Sequence, residues 1–322
     1  MFRPLSSFPT PRRATGSALL VVLWVIALLS FLVVTTMMIM MQDVETGISR
    51  KMVFRARLLA EMGVAVASHP MIKAQDPLLR RKVSDAEGYQ VRLTTEEARI
   101  NLNSLLTEEK RPTLQRVFTR WGLRPADASE LVESLMDWKD ADDLRRLQGA
   151  ERQEYERAGF ADRPYNRPFH TLDEVLLVKG MAAYAETHPE WREIFTLWGD
   201  GRVDVNEASA AVIAATADVS LSVAETVVAV RDGRDGEHQT EDDQLFENVE
   251  DALTLLGLGG EQRTAAAALF SLRGSTLRIE SVGHVNDLSR GIAVILKKDP
   301  VRPKVLEWRE FTVEPDHRRQ LD

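Results

Sequence analysis

The stretch "RRATGSALLVVLWVIALLSF", Arg12 to Phe31, decides how the rest of the chain is read. Two arginines and a glycine precede an apolar run that continues through "VVTTMMIMM", so Ser17 to Met41 contains 25 residues without a charge. A secretory signal has an apolar core of roughly 7–15 residues followed by small residues at the cleavage site. Here the core is longer, and methionines stand where small residues belong. A helix rising about 1.5 Å per residue needs about 20 residues to cross the hydrocarbon of a bilayer, which this run exceeds. Arg3, Arg12 and Arg13 lie before it, and Asp43 and Glu45 follow. The positive-inside bias therefore predicts a single span, with the first sixteen residues in the cytoplasm and everything after Met41 across the membrane.

The remainder carries most of the charge. The chain has a net charge of −8, and the three leader arginines leave −11 on residues 42–322. Such a surface repels phosphate backbones, which argues against nucleic-acid binding. There is no cysteine, so apolar packing rather than disulfides must hold the exported part together.

The apolar period does not stop at the membrane. Ile48, Met52, Ala56, Leu59, Gly63 and Val66 recur every three or four residues, the spacing of one helix face. The helix is predicted to continue to Ser68, ahead of His69-Pro70, because proline pushes the preceding residue out of the α region. Next, "GYQVRLTTEEARINLN", Gly88 to Asn103, alternates apolar and polar residues on either side of "TTEEA" and reads as a hairpin. Near the other end, "STLRIESVG", "RGIAVILKK" and "KVLEWREFTV" read as three strands. Strands from both ends are expected to form one antiparallel sheet against the helical spine.

Between them the period is helical and the chain repeats itself. "INLNSLL" at Ile100 is echoed by "VDVNEAS" at Val203, and "ELVESLMDWKD" at Glu130 by "ETVVAVRDGRD" at Glu225. A third pair is "FHTLDEVLLVKGM" at Phe169 and "FENVEDALTLLGL" at Phe246. Three echoes in the same order predict a duplicated helical unit. The fold class is therefore α+β: residues 1–16 a leader, 17–41 the span, 42–103 the spine helix and first strands, 104–272 an inserted helical domain, and 273–322 the closing strands.

These residues carry a family resemblance. "RRATG" before a long apolar helix resembles the leader of type IV pilins and pseudopilins. "RINLNSLL", "LVESLMDWKDADDLRRLQGAE", "FHTLDEVLLVKGM", "VDVNEAS" and "VLEWRE" are similar to the K-type minor pseudopilins of type II secretion, from about Gly16 to Glu310. The resemblance implies cleavage by prepilin peptidase after Gly16, with Ser17 as the new N-terminus. Most pilins carry a glutamate at mature position five, where this chain has Val21; K-type pseudopilins are similar in lacking it. The resemblance further implies a bacterial inner-membrane protein with a periplasmic domain. Its expected partners are the I-type and J-type minor pseudopilins and the major pseudopilin, and its expected place is the tip of the pseudopilus, which it helps to initiate and cap.

Other readings attach to particular residues. Asp137, Asp140, Asp142 and Asp143 in "DWKDADD" offer oxygen ligands of the kind calcium takes, the last three foremost, although the D-x-D-x-D-G spacing of an EF-hand is absent. A solvated helix end explains the same carboxylates, and no cofactor is required. "RDGRDGEHQTEDD" reads as a flexible acidic loop. The repeated units are similar to helix-hairpin-helix modules, which leaves a membrane-tethered, competence-like nucleic-acid binder as the alternative function. The glycines of "LLVKGM" and "LLGLGG" are equally explained as helix C-caps, and no basic stripe accompanies them. The six histidines fall in no hydrolase or metalloprotease motif, so an enzyme is not expected.

Overall fold

The computed structural model describes residues 17–299 and 303–313. The chain divides into two compact units, one ending at Arg55 and one beginning at Ala56. The first helix, α1 (Ser17–Ala67), supplies all the described structure of the first unit. From Leu19 to Met41 its large apolar side chains are exposed, and it is long and apolar enough to cross a membrane. Thr35 and Thr36 are polar exceptions within that stretch. Each turns its hydroxyl back to the carbonyl four residues earlier, at 2.7 Å, which leaves no unpaired donor for hydrocarbon.

In the second unit the end of α1 lies on a sheet through Ala56, Leu59, Ala60, Val64 and Ala67, all buried. Small residues permit the close approach. A side chain at Gly283 would strike the backbone of Ala56 and Ala60, and one at Gly63 would strike Ser281, Val91 and Tyr89. The helix stops one residue short of the predicted Ser68, whose amide and hydroxyl both bond Val64 O.

Strands β1 (Arg80–Ser84) and β2 (Glu87–Thr95) form the first hairpin. The helical domain follows in two halves. The first holds β3 (Ile100–Asn101), α2 (Leu102–Leu105), α3 (Arg111–Arg120), α4 (Pro125–Lys139), α5 (Arg152–Arg157), α6 (Leu172–Val175), α7 (Met181–Thr187), α8 (Trp191–Ile194) and β4 (Phe195–Thr196). The second holds β5 (Val203–Asp204), α9 (Ala210–Ala217), α10 (Leu221–Arg231), α11 (Val249–Leu255), α12 (Gly260–Leu269) and β6 (Phe270–Ser271). The chain then returns through β7 (Thr276–Val285), β8 (Leu288–Lys297) and β9 (Lys304–Phe311), completing an antiparallel sheet of order β1-β2-β7-β8-β9.

The expected hairpin over 88–103 does not form. β2 pairs instead with β1, a strand the alternation test missed because its five residues, "RRKVS", are all exposed, and with β7. Ile100 and Asn101 pair in parallel with Phe195 and Thr196, inside the helical domain. The redirection is made by a 3-10 turn over Glu96–Ala98, whose two glutamates are buried at the neck between sheet and domain. Glu97 accepts from Ser275 N, Ser275 Oγ and Thr276 N at 2.9–3.2 Å, tying the outgoing chain to the returning one. Glu96 pairs with Arg278 at 3.1 Å and accepts from the Thr196 hydroxyl. A polar interruption that looks like a hairpin turn is thus a satisfied buried network.

Both halves of the helical domain share one core. Phe118 packs edge-on to Tyr184 at 5.2 Å and against Phe195 at 5.3 Å, and Trp138 stacks on Phe169 at 6.1 Å. Leu114 and Val117 of the first half belong to the same buried cluster as Val212, Ile213 and Leu253 of the second.

Candidate functional site

The sequence echoes fall at corresponding places in the fold. β3 and β4 make one short parallel pair, and β5 and β6 the other. Asn103 accepts from Phe169 N and donates to Phe169 O, both at 3.0 Å. Asn206 does the same with Phe246, at 2.8 and 3.1 Å. A side-chain amide satisfying one residue's N–H and C=O together mimics a strand partner, which an ionised aspartate, an acceptor only, cannot do. The helix that follows is capped in each half, α6 by Thr171 bonding Glu174 N and α11 by Asn248 bonding Asp251 N. Gly180 and Gly257 adopt φ +88° and +68°, the left-handed turn that ends a helix.

Asp137 and Asp232 end α4 and α10 at equivalent places, and both are buried. In the first half Asp137 accepts from Arg146 Nη1 at 2.7 Å and Arg146 N at 3.2 Å. The same guanidinium reaches Asp140 and, at 2.9 Å, Glu108. Burial works against the Arg146 charge, yet the hydrogen bonds it donates to Asp140, Asp137 and Glu108 hold its pKa above the ordinary arginine value. Gly149 closes the loop, since a side chain there would strike the Asp137 carboxylate. Glu151, 3% exposed, turns its carboxylate toward the backbone amides of Arg152 and Glu154 at the start of α5 without a well-formed hydrogen bond to either oxygen, and Asp140 Oδ1 likewise has no hydrogen-bond partner among the described residues. Burial first, and the charges of Asp137, Asp140 and Asp143 next, push the Glu151 carboxyl up to about 8.

Of the calcium candidates, Asp137 and Asp140 share this cluster through Arg146. Asp142 turns away to accept from Leu144 N at 2.8 Å, and Asp143 meets Asn166 Nδ2 at 3.2 Å and Arg152 at 3.6 Å. No group of three or more carboxylate, histidine or cysteine side chains is poised to hold a metal among the described residues. The orphaned oxygens of Asp140 and Glu151 fit a hard cation chemically, with Arg146 now supplying the positive charge. Sequence reasoning named Asp137 but missed Arg146 and Glu151, which lie nine and fourteen residues further on, brought back by a loop that no local spacing encodes.

The second acidic stretch is an ordered loop rather than the flexible one expected. His238 stands 3.2 Å from Asp232 and 3.4 Å from Glu207, Asp243 accepts from Gln239 N, and Asp242 accepts from Arg234 N. Gln239 Nε2 also bonds Leu93 O at 2.8 Å, fastening the loop to β2.

The processing residues lie elsewhere. Gly16 is outside the described residues, Ser17 begins α1, and Val21 is on α1 with 61% of its surface exposed.

Comparison with known proteins bears on all of these features. Residues 98–187 match the family model of type II secretion system protein K. The type II secretion system protein K of Pseudomonas aeruginosa is 33% identical over 174 residues, covering 52% of this chain and 51% of that protein. The chain thus matches about half the length of that curated relative. Among solved structures, the GspK-GspI-GspJ complex from the type 2 secretion system of enterotoxigenic Escherichia coli superposes with a TM-score of 0.60 at 15% identity. It covers 85% of this chain and 98% of that chain, a likeness of fold. Residues 98–187 are thus similar to type II secretion system protein K, on a chain whose α+β fold is that of the solved GspK-containing complex.

Proposed function

We propose that this chain is a minor pseudopilin of type II protein secretion, assembling with I-type and J-type minor pseudopilins at the pseudopilus tip to initiate and cap it. The observation that carries the reading is the coincidence of a protein K match, one apolar N-terminal helix and a pseudopilin fold in a single chain. The solved neighbour is itself a complex of K, I and J proteins, which supports the same partners here. The bulk of the helical domain, 169 residues from 104 to 272, supports the tip position, because it would obstruct a further subunit in a head-to-tail stack. Val21 agrees: a glutamate in hydrocarbon without a neighbour's amine is costly, and a subunit at the end has no neighbour there.

In this reading prepilin peptidase cuts after Gly16 at the inner membrane, the domain after Met41 is periplasmic, and the major pseudopilin lies below. The role is assembly rather than catalysis. The acidic exported part, at −11, supports the assembly role over the nucleic-acid alternative. Co-expression of the full chain with the I-type and J-type proteins of the same organism tests the proposal. A stoichiometric complex on affinity capture and size exclusion is expected, and failure of either partner to co-purify contradicts it. Intact mass is expected to start the mature chain at Ser17; an unprocessed Met1 overturns the processing step.

We also propose that calcium binds the loop after α4, through Asp140 and Glu151 with Asp143 beside them. The orphaned oxygens carry this reading. Such an ion would displace Arg146 from Asp140 and be worth more stability as its excess over the dissociation constant rises. Chelator is expected to lower the melting temperature of the full chain but not of Glu151→Gln; an unmoved melting temperature in the unmodified protein removes calcium from the account.

A further inference from the structure

The spine helix ends before the sheet does. Its last residue, Ala67, is followed by the Pro70 turn, while β2, β7 and β8 continue on the face the helix covers. Leu277 and Leu296 are cross-strand partners on that face, and Leu93 stands on the same face of β2. Together they floor a cleft of about 970 Å³. That lies at the upper end of ligand pockets, which run roughly 300–1,000 Å³. One wall is Leu245 of the helical domain, 57% exposed, and the opposite wall is the turn after α1.

The rim is the unusual part. Lys73 follows α1, Arg273 lies on the return from β6 to β7, and Lys298 follows β8. Among the described residues the Lys73 and Arg273 side chains make no ion pair, and the Lys298 ammonium donates to the Gly274 carbonyl at 3.2 Å. Of the two acids at the cleft, Glu207 is engaged by His238 and Gln239; Asp299 is the other. A part of the chain carrying −11 thus gathers three cations, on three separate segments, around an apolar floor. An extended ligand with spaced carboxylates and apolar side chains between them would meet all three.

We propose that this cleft binds an acidic peptide segment from another polypeptide, its leucine-type side chains seated between exposed Leu245 and half-buried Leu277 and its carboxylates on Lys73, Arg273 and Lys298. The site is distinct from the helix contacts that the pseudopilus role requires, so its failure would leave that role standing.

The test uses the full chain in phosphatidylcholine nanodiscs and a fluorescein-labelled octapeptide of alternating leucine and glutamate. A saturable rise in anisotropy is expected, weakening with added salt as exposed ion pairs do. Arg273→Glu and Lys73→Glu, both at exposed side chains and checked by melting temperature, are expected to weaken binding by about tenfold each. No saturable binding overturns the proposal, as does equal affinity in the folded charge-reversal variants or for a leucine–lysine octapeptide. Binding of phosphatidylglycerol nanodiscs that is lost in the same variants, with no peptide binding, would overturn the peptide in favour of a lipid headgroup.

Discussion

The two halves of the helical domain solve one packing problem and then part company. Both close a two-residue parallel pair, both use an asparagine to bracket the backbone of a phenylalanine, and both cap the next helix with a side chain. They differ in what fills the space between. Asn103 and Phe169 are 66 residues apart, and Asn206 and Phe246 only 40. The longer excursion holds the Asp137, Arg146 and Glu151 cluster; the shorter one holds His238 among Asp232, Glu207 and Asp243. The comparison separates scaffold from cargo: the shared bonds hold each half shut, and the loops after α4 and α10 are where the halves acquire different chemistry.

The largest effect should come from breaking the shared bonds. Replacing Asn206 by alanine strands both polar groups of half-buried Phe246, and an unsatisfied group costs up to about 1–3 kcal/mol. Thermal or urea melts should find Asn206→Ala and Asn103→Ala each destabilised by about 2–4 kcal/mol. A neutral result at only one would mean that the halves are not held alike.

The difference between the halves is sharpened next by Gly149. Adding a methyl group there presses on the Asp137 carboxylate in the first half, whereas the space beside Gly236 in the second is open. Gly149→Ala should cost on the order of 2 kcal/mol by overpacking, whereas Gly236→Ser, at an open position, acts only through its backbone strain at φ +69°. Comparing their melting temperatures checks this, with Gly149→Ala the lower.

A subtler contrast is one of pH. Asn101 and Asp204 occupy the same place in the two halves, and Asn101 is neutral at every pH. Burial pushes the Asp204 carboxyl up to about 6, with the Asn206 amide opposing and Glu207 adding to the rise. A carboxyl whose folded pKa is raised binds its proton more tightly when folded, so its contribution is fully present below the ordinary value near 4 and is lost as pH rises to 6. Between those values about 2–3 kcal/mol of stability should disappear in the unmodified protein. Asp204→Asn should flatten that part of the melting curve against pH; an unchanged slope would assign it to other groups.

The smallest effect concerns the caps. Thr171→Ala and Asn248→Ala each remove one bond to an otherwise orphaned amide and should cost about 1 kcal/mol, read from melting temperatures.

Much of this arrangement is legible in residue order because it is local or repeated. The apolar face at Ala56, Leu59 and Gly63, the strands from 276 to 311, and the asparagine–phenylalanine echoes all rest on period or recurrence. What escaped depends on distant partners. "TTEEA" resembles a turn because exposed and buried carboxylates look alike in sequence; only Ser275, Thr276 and Arg278, about 180 residues later, make Glu96 and Glu97 interior residues. β1 escaped because an edge strand protected by Arg80, Arg81 and Lys82 has no apolar alternation to detect. Glu151 escaped for the same reason as Glu97: its burial is set by a fold, not by its neighbours.

The central claim, a tip subunit in contact with I-type and J-type partners, is tested most directly by crosslinking in the assembled system. The absence of cysteine allows single cysteines to be placed along residues 48–66 without background, including exposed Leu58 and Met62. The account expects disulfide-trapped pairs with the I-type and J-type proteins and contact with the major pseudopilin on one axial side at most. Regular crosslinks to the major pseudopilin on both axial sides would contradict it.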